Sequence, residues 1–229
     1  MGYTARLIGA CELRLGEVTE ARGWFAEGAL YGRGFVSEFI GKFDDLGSGY
    51  DASGGLEARN GLYAAILTGD DRLVDVLVAD VHTLINDAPD HAHIDQDELY
   101  WKARTTAALV EGDRETADES RREYAEYVST DYDEALYQTH GGFIADDADQ
   151  IQQGLASIVR IHEENLDSIK TWNQPVSLSG CAHLMLARHR EMDIWVDSEF
   201  VPEGLREYDM DGRIDLPHPE YVDPDLIPE

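Results

Sequence analysis

Lysine is nearly missing from this chain of 229 residues: only Lys42, Lys102 and Lys170 occur, and arginine supplies the rest of 18 basic side chains. With no lysine-rich loop and no basic stripe, direct binding to nucleic acid has little to stand on. Cysteine is also scarce. Cys11 and Cys181 lie far apart and form no Cys-x-x-Cys pair, which excludes a disulfide framework. No stretch approaches the ~20 apolar residues of a membrane span. The N-terminal Met1-Gly2-Tyr3-Thr4-Ala5-Arg6 lacks the charged and apolar regions of a signal peptide. The expectation from these absences is a soluble, cytoplasmic protein. Strand signals are almost absent, and so are a Gly-x-Ser-x-Gly elbow, a phosphate-binding Gly-Lys-Ser/Thr loop and a His-Glu-x-x-His zinc helix.

What the chain has in excess is acid. Asp and Glu total 47, for a formal net charge of −29. Such a charge strains a compact fold by self-repulsion at low ionic strength. In molar salt the screening length falls to about 3 Å and the repulsion is largely removed. The acids are dispersed rather than gathered in one block, so they read as adaptation of the whole surface to a high-salt cytoplasm. An acidic mimic of nucleic acid is the alternative reading. With 43% hydrophobic residues the chain is not disordered, and its length suits one good core.

Helical periodicity runs nearly throughout. Leu7, Ala10, Cys11 and Leu15 space as the apolar stripe of a first helix, and Ala21 to Phe43 carry a longer second one. Gly23, Gly28, Gly32 and Gly34 weaken that second helix or mark close helix–helix packing. Further helices are expected over 56–68, 73–84, 99–110, 115–128, a short 132–140 ended by Gly141-Gly142, a long 148–169, and 178–190. Three junctions share one grammar, Leu15-Gly16-Glu17, Thr68-Gly69-Asp70 and Glu111-Gly112-Asp113. The glycine takes a left-handed conformation that ends one helix, and the acid starts the next. The expected fold is all-α, stacked antiparallel helical hairpins over residues 1–205. Residues 206–229 follow as an acidic, proline-rich, irregular tail.

Few residues suggest chemistry. His91 and His93, flanked by Asp90, Asp95 and Asp97, could ligate a divalent metal, but a polar inter-helix loop in which Asp95 or Asp97 caps the next helix is the better reading in so acidic a chain. Cys181 and His183 could form a thiolate pair, yet residues two apart on a helix diverge, and Cys181 fits the apolar stripe with Met185. Glu207-x-Asp209-x-Asp211-Gly212-Arg213-Ile214-Asp215 imitates the start of a calcium loop. It departs at its first position, Glu207, and at its twelfth, His218, where Pro217 and Pro219 also block an exit helix. Catalytic residues, a cofactor and a built metal site are therefore not expected; His91, His93, Asp209 and Asp211 are only the nearest approaches to one. Trp172, in a loop, and Trp195, just past a helix, are the candidate protein-binding aromatics.

The C-terminal third adds a likeness. The run from Ser179 through Leu184-Met185-Leu186-Ala187-Arg188 to Met192 is a short apolar helix and a turn, followed by Val196-Asp197-Ser198-Glu199-Phe200-Val201-Pro202-Glu203-Gly204-Leu205. Upstream stand Tyr100-Trp101-Lys102-Ala103-Arg104, Glu111-Gly112-Asp113 and the long helix through Gln152 to Leu166. This order, over about residues 55–205, resembles the immunity protein 49 family of polymorphic toxin systems. The resemblance implies an α-helical, non-enzymatic protein that binds and blocks a cognate toxin, such as a nuclease, and it carries no site residues. The N-terminal part departs from the pattern. A helical-repeat scaffold or adaptor, and a metal-dependent hydrolase using scattered His and Asp, are the other readings.

Overall fold

The computed structural model describes residues 2–41, 51–86, 98–165, 175–206, 214, 216 and 222–228. Among them are nine α-helices and no strand: α1 (Gly2–Leu15), α2 (Val18–Gly41), α3 (Asp51–Thr68), α4 (Asp71–Asn86), α5 (Glu98–Glu111), α6 (Arg114–Tyr124), α7 (Asp131–Ala145), α8 (Ala148–Glu164) and α9 (Leu178–His189). Short 3-10 turns follow α6 and occupy Glu203–Arg206 and Pro224–Leu226. No helix of the described residues is long and apolar enough to cross a membrane.

Successive helices pack in pairs, α1 on α2, α2 on α3, α5 on α6 and α7 on α8. The glycines of all three Gly-acid junctions are left-handed, as the sequence implies. Gly16, Gly69 and Gly112 have φ of +86°, +66° and +75°. Beyond them, Asp113 accepts the Thr116 amide and Asp70 accepts the Arg72 amide, capping α6 and α4.

Helix α3 is the hub, touching α2, α4, α5 and α9. Its C-terminal half, from Gly61 to Thr68, is buried on all sides, and so is α9 from Leu178 to Ala187. A helix apolar all round belongs inside a core. The chain therefore does more than stack hairpins in a row: α9 comes back to lie against α3 and α8.

Three local expectations are corrected. Helix α1 buries Ala5, Arg6, Gly9, Ala10 and Leu13, not the stripe through Leu7 and Cys11; Cys11 is exposed and Leu15 is 74% exposed. The cause is close packing on α2: a Cβ on Gly9 would lie 3.1 Å from the Phe25 ring, and Arg6 reaches Glu57 of α3. Helix α7 does not stop at Gly141-Gly142 but runs to Ala145, because those glycines admit the neighbouring hairpin arm. A Cβ on Gly142 would stand 2.8 Å from the Ile151 amide nitrogen. Helix α6 ends at Tyr124, and the remaining residues to Tyr127 tighten into a 3-10 turn. The expectation of close packing at the α2 glycines holds for Gly32, where an added Cβ would sit 3.0 Å from Gly61 Cα of α3.

Candidate functional site

The sequence candidates scatter. His91, His93, Asp209, Asp211 and Trp172 lie outside the described residues, as does Glu207–Asp215 apart from Ile214. Trp195 is half-buried: Gln152 brackets its main chain, donating to the carbonyl at 2.8 Å and accepting from the amide at 3.2 Å. The Arg206 guanidinium lies over its ring at 4.3 Å. Cys181 is fully buried with its thiol 3.6 Å from the Phe200 carbonyl, and burial raises its pKa to about 12. It does not meet His183, and so shallow an acidity makes no nucleophile.

His183 instead joins a buried polar line that sequence spacing could not reveal. Its Nδ1 lies 2.8 Å from the Ser179 carbonyl oxygen, its Nε2 3.1 Å from His140 Nε2, and His140 Nδ1 2.7 Å from the Tyr124 hydroxyl. Elementary donor accounting fixes every proton. A carbonyl only accepts, so His183 carries its hydrogen on Nδ1 and its Nε2 is a lone pair. His140 must then donate from Nε2, which leaves Nδ1 to accept from Tyr124. All three bonds run the same way, from α6 through α7 into α9. Burial depresses both imidazoles, His183 to about 4 and His140 well below its ordinary value, with each other's proximity adding to the effect on His140. Burial likewise holds the Tyr124 hydroxyl well above 10. All three side chains are at most 1% exposed, so the line is a fixed dipole in the core rather than a route for protons from solvent.

Lys102 stands beside it, 1% exposed and bonded to Asp133 at 2.6 Å and to Glu98 at 3.1 Å. Asp133 also accepts from the Thr130 hydroxyl at 2.7 Å while its amide donates back to Thr130, a reciprocal cap that starts α7. Burial pushes the Asp133 carboxyl up, and the hydrogen bonds from Lys102 and Thr130 more than reverse that.

The same region opens to a cavity of about 410 Å³. Its wall combines Arg59 and Tyr63 of α3, Tyr132 of α7, Ile161 and His162 of α8, and the start of α9 at Ser177–Ser179. No carboxylate is among the described residues lining it, in a chain where about one residue in five is acidic. Three polar atoms of this wall are buried without a well-aligned hydrogen bond: Tyr63 Oη, which stands near Ser179 and Thr106, Ser179 Oγ and Arg59 Nε. Burial raises the Tyr63 hydroxyl to about 12. An unsatisfied buried polar atom costs about 1–3 kcal/mol, so three along one wall need a reason. Eight other arginines hold a carboxylate; Arg59 has none among the described residues. Helix α9 points its N-terminus here with no side-chain cap and no acid in its first turn.

On the outer surface, α6 presents Glu115, Glu119 and Glu123, four residues apart, exposed and without a basic partner among the described residues. The nearby cations are already engaged, Arg122 with Asp118 and Arg114 with Asp146. Among the described residues no group of three or more His, Cys, Asp or Glu is placed to hold a metal ion. Comparison with protein-family models, with curated proteins and with solved structures finds no match.

Proposed function

We propose that this chain is a non-enzymatic binding protein that neutralises a cognate protein toxin by covering a basic surface, such as the active cleft of a nuclease, with its acidic helical face. The observation that carries this reading is the stripe Glu115, Glu119 and Glu123 on α6. Like charges at i,i+4 spacing destabilise a helix by a few tenths of a kcal/mol per pair, and a positive partner turns that cost into attraction. The helix-and-turn order over about residues 55–205, with its likeness to the immunity protein 49 family, supports the same reading. Electrostatics of this kind steer encounter and select partners more than they hold them. In molar salt the hold falls to apolar contacts, for which half-buried Trp195 is the candidate. The protein would act inside the cell that makes the toxin, where the high-salt reading of its composition also belongs.

The test is rescue. A toxin domain encoded beside this gene is expressed in a host cell with and without the chain. Survival with the wild-type chain, lost when Glu115, Glu119 and Glu123 are all changed to Lys, is the expected result. No rescue by the wild-type chain ends the proposal.

A further inference from the structure

We propose that the cavity between α3, α7, α8 and the start of α9 binds a small organic carboxylate. This is independent of the toxin reading and rests on a different part of the molecule. Arg59 lines the cavity with a guanidinium that no carboxylate of the described residues neutralises. In a chain of net charge −29, no acid is among the described residues that line this cavity with Arg59. The wall also holds two hydroxyls side by side, on Tyr63 at 1% exposure and Ser179 at 9%. The amides that open α9 have no intrahelical acceptor, and Ser177 does not cap them. All of these groups can donate, and they belong to residues around one space, an arrangement that suits an oxyanion.

Charge selects among anions. One guanidinium and a helix terminus worth about half a charge balance a carboxylate. A phosphate carries close to twice that charge, and among the described residues of the wall His162 alone could add a second cation. The rest of the lining, Tyr132, Ile161 and Leu178 with the Tyr63 ring, accepts an apolar body. The volume of about 410 Å³ admits a compact ligand of that kind.

Benzoate is the probe, with benzamide as its uncharged counterpart and inorganic phosphate as the competing anion, titrated into the full chain at constant ionic strength. Binding is followed by calorimetry and by the amide resonances of Ser179 and Gly180. Saturable benzoate binding that moves those resonances is expected, with benzamide and phosphate each at least about tenfold weaker. Arg59→Gln should weaken benzoate about tenfold and Tyr63→Phe several-fold, with helix content unchanged by circular dichroism. Arg59 holds no ion pair among the described residues, and its guanidinium lies 5.9 Å over the Tyr63 ring, so a thermal melt of each variant beside the circular dichroism separates loss of fold from loss of binding. The proposal is overturned by an absence of saturable binding, by equal affinity for benzoate in wild type and Arg59→Gln, by benzamide matching benzoate, or by phosphate binding more tightly.

Discussion

His140 and His183 share one proton across 3.1 Å between their Nε2 atoms, and the carbonyl of Ser179 at the end of the line decides which ring holds it. The pair is therefore neutral by construction, and the fold depends on its staying so.

Acid should unfold the protein through these rings. Both folded-state pKa values lie below the ordinary 6.5, His183 at about 4. Between those limits the unfolded chain takes up a proton that the folded chain refuses. The stability linked to the pair is thus complete above pH 6.5 and is lost as pH falls toward 4, by about 3 kcal/mol for His183 alone. Denaturation midpoints measured across that range in molar salt, where general charge repulsion is screened, should fall steadily. A flat profile would contradict the sealed pair.

Two tyrosines in one core should respond oppositely to the same change. Tyr124→Phe removes the donor to His140 Nδ1 and strands a buried acceptor, at a cost of about 1–3 kcal/mol. Tyr63→Phe removes a hydroxyl with no well-aligned hydrogen bond, so the free protein should be unchanged or more stable. Paired urea titrations read the difference directly, and equal losses would show that Tyr63 has a partner after all.

Gly154 marks a close approach of α8 to α7. A Cβ there would fall 2.3 Å from Thr139 Oγ1, 2.9 Å from the Thr139 nitrogen and 3.0 Å from the Ala135 carbonyl oxygen. Gly154→Ala should destabilise by about 1–3 kcal/mol through overpacking, although alanine is the better helix former by up to ~1 kcal/mol. Adding Thr139→Ala should not restore the loss, because the obstruction includes main-chain atoms. Full recovery in the double variant would place the conflict in the side chain alone.

The α6 stripe gives a salt-dependent outcome. Glu119→Lys puts a cation one turn from both Glu115 and Glu123, replacing two like-charge pairs with two attractive ones. Stability at low ionic strength should rise by about 0.5–1 kcal/mol, and the gain should shrink toward zero in molar salt. Thermal melts of the two proteins at both salt levels decide it; a gain that ignores salt would point to helix propensity instead.

Much of the fold was legible because its signals are local. Each Gly-acid junction sits in three consecutive residues, and the helix pairs follow from short connections. The face of α1 was misread because Gly9 and Arg6, rather than leucines, make its close contacts with α2 and α3. The run of α7 through Gly141-Gly142 was misread for a related reason: a glycine stop and a glycine contact look alike until the neighbour is known. The polar line and the cavity were invisible for a stronger reason. Tyr124, His140 and His183 come from three helices, and the line crosses 43 positions between its two imidazoles. The Cys181-Ala182-His183 run drew attention to the right imidazole beside the wrong neighbour.

Burial of α9 on every side has a consequence for the order in which the protein can assemble. The hairpins of α1–α2, α5–α6 and α7–α8 are local and can form as the chain emerges from the ribosome. The face of α3 that they leave open is closed by residues more than one hundred positions further on, so the core is finished late. Until α9 arrives, Tyr63, which packs its ring on His183, and its neighbours on α3 face water, and a nascent chain stalled before residue 178 would be a collapsed set of hairpins prone to association. At low ionic strength the dispersed acids would hold such half-built chains apart, and in molar salt, where that repulsion is screened, only the arrival of the last helix protects them.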